Sequence, residues 1–197
     1  MRILKAWSKI VIFIAGLICG MLIYALTVSE VPQQPHEVYS GGAGLQIHVL
    51  LDRDYYHSLL ADLRNSTKSV KVVMYSMIYD EKDHFDWAND LIRELVNAKQ
   101  RGVDVRVVIE YRTYYGYMND NLPAYDYLTS HGVYVKLDNE TDTDHLKLVL
   151  IDDEVVYIGS HNWSESALYY NREASVKIIS KEVANIFIDY LKRNYGI

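Results

Sequence analysis

A chain of 197 residues, half of them hydrophobic, is long enough for one domain with a real core and too apolar to be disordered. Its 26 Asp and Glu outnumber its 20 Lys and Arg, for a net charge of -6, which excludes a generic polyanion-binding surface but leaves room for a local basic groove. The single cysteine, Cys19, lies in an apolar N-terminal run, so the remainder can form neither a disulfide nor a cysteine metal site.

Ile10 to Val28 is an uncharged apolar stretch preceded by Arg2, Lys5 and Lys9 and followed by Glu30 and Glu37. At about 1.5 Å per residue a helix of this length approaches the ~30 Å of a bilayer core. Residues 1–30 are therefore expected to be a membrane anchor. The positive-inside rule puts its N-terminus in the cytoplasm and the body outside the cytoplasm. A cleaved signal peptide, leaving a secreted or periplasmic body, is the competing reading, although the apolar run is long and the cleavage pattern near Ala25–Ser29 is poor. Residues 31–44, with Pro32, Pro35 and three glycines, read as a linker, and a folded domain is expected over 45–197.

In that domain Leu45–Leu51 reads as a strand and Asp54–Arg64 as a helix, with Tyr56, Leu59, Leu60 and Leu63 at helical spacing. Val70–Ile78 reads as a buried strand. Phe85–Lys99 reads as a helix ended by Gly102, and Val103–Ile109 as the next strand. The loop Tyr111–Asn119 holds four tyrosines and Arg112, and reads either as an irregular surface loop that packs its own rings or as a rim that stacks bases or contacts lipid. Leu122–Ser130 is a short helix stopped by Gly132. Strands follow at Val133–Leu137, His145–Ile151, Val155–Ile158 and Ala174–Ile179, and an amphipathic helix closes the chain at Glu182–Arg193. The alternation predicts an α/β domain, a mixed β-sheet flanked by helices on both faces, and no internal repeat is present. The acidic runs Glu81–Asp83 and Asp138–Asp144 read as solvated loops.

The chemistry concentrates in His145–Glu173. His145 and Lys147, two apart on a predicted strand, project from one face and place an imidazole beside an ammonium, a pairing suited to phosphate. Asp152, at an odd offset, points away and reads as structural. Gly159 lets the chain turn closely, and Ser160 and Asn162 offer donors to an oxyanion. His161, between them, reads as a rim residue, and Trp163 as core.

The pattern His145-x-Lys147-x4-Asp152, followed by Gly159-Ser160-x-Asn162, resembles the HKD motif of the phospholipase D superfamily. The likeness extends to Glu173 in NREASV and to the helix–strand unit AKQRGVDVRVVIE upstream. It implies a metal-independent phosphodiester hydrolase acting through a phosphohistidine. The catalytic residues would be His145, Lys147, Asn162 and Glu173, with Glu173 hydrogen-bonded to His145. Ser160, Gly159, Arg112 and His161 would contact substrate, and Asp152 would be structural. No cofactor or metal is implied, and His48, His57, His84 and His131 show no ligand spacing. Of the seven histidines only His145 stands in His-x-Lys, so the resemblance implies a homodimer sharing one active site across a twofold axis. The expected substrate is nucleic acid cut by an endonuclease. A phospholipase acting on lipid headgroups is the second enzymatic reading, and a silent membrane scaffold the non-enzymatic one.

Overall fold

The computed structural model describes residues 38–40, 44–83, 86–111, 120–138 and 143–197. The expected anchor over 1–30 and Arg112 with most of its tyrosine loop lie outside the described residues. No helix among the described residues is long and apolar enough to cross a membrane.

The strands are β1 (Val38–Ser40), β2 (Gln46–Leu51), β3 (Ser69–Met74), β4 (Asp104–Ile109), β5 (Tyr134–Leu137), β6 (Lys147–Ile151), β7 (Val155–Gly159) and β8 (Ala174–Ile179). The helices are α1 (Asp54–Asn65), α2 (Trp87–Gln100), α3 (Leu122–Ser130) and α4 (Lys181–Tyr195), with one π-helical turn at Ser166–Tyr170. Gly102 and Gly132 follow α2 and α3 at φ of 92° and 78°, a conformation glycine adopts without a Cβ clash.

All eight strands form one sheet in the order β1-β2-β8-β7-β6-β3-β4-β5. Only β3–β4 and β4–β5 are parallel; every other pair is antiparallel. Side chains alternate between faces, as the pleat requires. Val72, Met74, Val107, Ile109, Val149 and Ile151 face α1, α2 and α3. Val73, Val108, Leu148, Leu150 and Val156 face Ala184, Ile188, Leu191 and Tyr195 of α4. The sheet is thus covered by helices on both sides, as its near-continuous apolar strands foreshadow.

Some boundaries depart from the sequence reading. Val38–Ser40 falls inside the expected linker, yet it pairs with Gln46–His48 as an edge strand. The strand expected over Val70–Ile78 stops at Met74. Beyond it the chain leaves the ladder, with Met77 N–H donating to the Asn121 side chain and Ile78 N–H to the Trp163 carbonyl. The strand expected from His145 begins at Lys147, so His145 sits on the lead-in, ahead of the ladder.

The topology has one consequence for function. Strands β2, β3, β4 and β7 end, and β6 and β8 begin, at the same end of the sheet, because their directions alternate with their order. That end gathers Asp52, Tyr75, Glu110, His145, Lys147, Gly159–Asn162 and Glu173.

Candidate active site

Lys147 opens β6 on the same side as Val149 and reaches back along the lead-in. Its ammonium donates to the His145 carbonyl at 3.0 Å and lies 3.4 Å from His145 Nε2. For the second contact to be a hydrogen bond, Nε2 must accept, which puts the proton of the neutral ring on Nδ1. Lys147 is only 7% exposed. Burial pushes its pKa down, and the negative charge of Glu173 opposes that shift. Tyr75, just past β3, completes the corner. Its ring meets the His145 ring at 4.5 Å and 60°, and the Lys147 nitrogen lies 4.9 Å from its centroid.

The second corner is the exit of β7. Ser160 donates its hydroxyl proton to Glu173 Oε2 and accepts from Ala174 N–H at 3.0 Å. Asn171 donates to Glu173 Oε1 at 3.1 Å. The hydrogen bond expected between Glu173 and His145 is therefore replaced by these two. The reason is strand order: Glu173 precedes β8, whose neighbour is β7, and so it meets Ser160, while His145 leads into β6, one strand further away. The negative charge of Glu173 works to raise the Lys147 pKa, against the larger effect of burial. Asn162 is half-buried, and its Oδ1 is enclosed without a donor among the described residues. An amide oxygen in that state costs about 1–3 kcal/mol, a penalty found at sites kept for function.

Gly159 also serves the packing of the sheet, and His161 lies in the interior and not on the rim. A Cβ on Gly159 would fall on Ser175 Cα and Oγ and on the Ala174 carbonyl oxygen, inside contact distance of backbone that cannot yield. Gly159 thus permits the close approach of β7 and β8 on which the Ser160–Glu173 pair depends. Gly159→Ala is expected to cost about 2–3 kcal/mol, read as a lower midpoint in denaturant; an unchanged midpoint would show that the strands can part freely. His161, expected on the rim, is fully buried and stacked on Tyr55 at 4.3 Å and 6°. Its Nε2 lies 2.8 Å from the Asp52 carbonyl and so donates, and its Nδ1 lies 2.7 Å from the Ser175 hydroxyl and so accepts. Burial pushes its pKa down, in keeping with a neutral ring. Trp163 is buried and donates to Tyr55 Oη at 3.2 Å.

Asp152 sits at the opposite end of the sheet, in the β6–β7 turn with φ 55°. Its carboxylate accepts from the backbone N–H groups of Thr67, Lys68 and Ser69 and from the Thr67 hydroxyl. Burial alone would raise its pKa, but these donors hold it below the usual carboxylate value.

Behind the His145 lead-in lie Glu110, Asp138 and Asp144, each offering a carboxylate oxygen within 4.8 Å of the others. The run Asp138–Asp144, read as solvated, is therefore corrected at both ends. Asp138 is buried at 8% exposure, and Asp144 accepts from the Tyr195 hydroxyl at 2.8 Å. Asp144 N–H donates to Glu110 Oε2 at 2.7 Å. Burial, with Asp138 and Glu110 as neighbouring acids, pushes the Asp144 pKa from 3.8 up to about 6. A raised acid pKa means that the folded state holds the proton more tightly than the unfolded one. Its stabilising contribution is complete below about pH 4 and fades as pH rises through 6. Asp144→Asn, which mimics the protonated acid, should melt progressively higher than the wild type as pH goes from 4.5 to 7.5. A difference independent of pH would remove Asp144 from the titration.

Tyr75, Glu110 and Asn121 escaped the sequence reading. The Asn121 amide accepts from Met77 N–H and donates to the Tyr75 and Glu110 carbonyls, at 2.8, 2.9 and 2.8 Å. Residues so far apart in sequence are joined only by tertiary structure.

Residues 59–195 match the family described as cardiolipin synthase, PLD-like domain. Mitochondrial cardiolipin hydrolase of Canis lupus familiaris is 32% identical over 94 residues, 48% of this chain and 35% of that protein. The Homo sapiens protein of the same name is 33% identical over 94 residues, 48% of this chain and 36% of its own length. The matched stretch is thus well under half of these relatives. Among solved structures, the phospholipase D family member Nuc from Salmonella typhimurium superimposes with a TM-score of 0.66 at 23% identity, over 77% of this chain and 95% of Nuc. NucT from Helicobacter pylori gives a TM-score of 0.63 at 21% identity, over 77% and 96% of the two chains.

Proposed function

This chain belongs to the PLD-like family, and from that premise we propose that it hydrolyses phosphodiesters with His145 as nucleophile. The observation that carries the reading is the His145–Lys147 corner: an exposed imidazole whose Nε2 faces a buried ammonium, at the same sheet end as Asn162 and Ser160. His145 Nε2 gives its lone pair to phosphorus, and the bond from phosphorus to the leaving oxygen breaks. The leaving oxygen takes a proton from the imidazolium of His145 of the partner subunit. Water then attacks phosphorus and passes a proton to that now neutral ring, and the phosphorus–nitrogen bond breaks with its electron pair returning to His145. Lys147 and the Asn162 amide stabilise the phosphoryl oxygens, so the step calls for no metal. One His-x-Lys per chain makes a twofold dimer the simplest source of the second histidine. The basic residues before Ile10 support an anchor with the catalytic body outside the cytoplasm.

Nucleic acid is the preferred substrate. Arg53, just past β2, lies 4.1 Å from the Tyr169 ring centroid, and Tyr169 meets Tyr170, 68% exposed, at 5.0 Å. Ring faces and a guanidinium at the site's end of the sheet suit unpaired bases. The phospholipid reading rests on a different observation, that the curated relatives are named cardiolipin hydrolases. The full-length chain, assayed in EDTA against single-stranded DNA, RNA and cardiolipin vesicles, decides between them. Cleavage of nucleic acid alone supports the first reading, and lipid hydrolysis alone transfers the function to the second. Silence on all three from a dimeric preparation contradicts both.

A further inference from the structure

We propose that Tyr75 is a positioning residue for this reaction, its ring bracing the His145 imidazole and the Lys147 ammonium in a single arrangement. The proposal rests on the reading of the site as a phosphodiesterase.

His145 needs a brace. It is exposed, it precedes the β6 ladder, and among the described residues its own N–H is held only by the Thr143 carbonyl at 3.1 Å. A nucleophile free to sample rotamers would spend little time in line with phosphorus, and a misplacement of about 1 Å can lower a rate roughly 100-fold. Lys147 has the opposite problem. Its ammonium is withdrawn from water, and its partners among the described residues are the His145 carbonyl and Nε2 and the face of Tyr75. An aromatic face attracts a desolvated cation through its quadrupole, and the positive edge of one ring packs well against the face of another. One side chain therefore answers both needs.

The ring can do so because its backbone is pinned on both sides. Tyr75 N–H donates to the Leu146 carbonyl at 2.8 Å, the residue between His145 and Lys147. The Tyr75 carbonyl accepts from Asn121 at 2.9 Å, and Asn121, 6% exposed, also holds Met77 and Glu110. The loop that carries the ring is thus tied to the segment that carries the histidine. Tyr75 belongs to neither apolar core, so filling the interior is not its role. The contacts are made by the ring, so its hydroxyl should be dispensable.

The test compares Tyr75→Leu with Tyr75→Phe in the full-length protein, with thermal melts to confirm folding. Steady-state kinetics on the substrate that the wild type cleaves are read beside the proton shifts of the His145 ring, assigned by their loss in His145→Ala. Tyr75→Leu should lower kcat roughly 10- to 100-fold with KM within about threefold, and should move the His145 ring shifts as the neighbouring ring current disappears. Tyr75→Phe should keep kcat within about twofold and retain the shifts. A folded Tyr75→Leu variant with unchanged kcat, or a Phe variant as impaired as the Leu one, overturns the brace. If the wild type cleaves no phosphodiester, the functional reading fails instead. The spectra then decide alone: unchanged His145 shifts in Tyr75→Leu overturn the brace, and shifts lost in Leu but kept in Phe sustain it.

Discussion

Replacing His145 with alanine is expected to lower phosphodiester hydrolysis by at least about 10⁴-fold while leaving the fold intact. In the proposed dimer the substitution removes nucleophile and acid together, and groups that act as a unit lose nearly everything when either is lost. Stability should hardly change, because His145 is exposed, lies outside the ladder and fills no part of either core. A melting curve matching the wild type beside a rate near background is therefore the signature. Residual activity above about one percent in a homogeneous variant would move the nucleophile elsewhere.

Asp152→Ala should show the reverse. The carboxylate gathers the Thr67, Lys68 and Ser69 N–H groups and the Thr67 hydroxyl at the α1–β3 connection, and alanine leaves them without that acceptor. Charge-assisted bonds of this kind support a loss of about 2–4 kcal/mol, measurable by urea titration. Its pKa is depressed in the folded protein, so its contribution is present above the ordinary carboxylate value of 3.8 and fades as pH falls through the folded-state value. The gap between wild type and variant should therefore be wide at pH 7 and narrow below pH 4. Well below the variant's transition, kcat should stay within a few-fold of the wild type, since Asp152 lies at the far end of the sheet from His145. A kcat collapse in folded Asp152→Ala would instead tie this residue to the chemistry.

These contrasting expectations trace back to what a linear sequence carries. The apolar strands and helical spacings are local patterns, so the α/β class and most elements could be read directly. The His145–Lys147 pairing is also local, since one residue separates the two, although His145 lies just ahead of the strand that Lys147 opens. Where pairing with distant partners decides, local pattern fails. Val38–Ser40 becomes a strand only because β2 offers it an edge, despite flanking glycines and prolines that read as linker. Tyr75 looked like one more β-forming residue of an apolar run, and nothing in its neighbours signals that the ladder ends at Met74. The motif pairs Glu173 with His145, but strand order delivers it to Ser160. His161 sits between two polar motif residues, yet the turn after β7 aims it at Tyr55 and Ser175 in the interior. The Asp138–Asp144 run looked solvated because its partners, Glu110 and Tyr195, come from a different strand and from the last helix.

The central claim is that phosphorus is transferred to His145. The most direct measurement is rapid-quench trapping: the full-length protein is mixed with substrate, stopped in alkali to preserve phosphoramidates, and digested for mass spectrometry. A phosphoramidate adduct is expected on the peptide carrying His145, its phosphorus bonded to the imidazole and still bearing one ester group of the substrate, formed and lost at rates compatible with turnover and absent from His145→Ala. Turnover without any adduct on that peptide, or an adduct on a different residue, would contradict it.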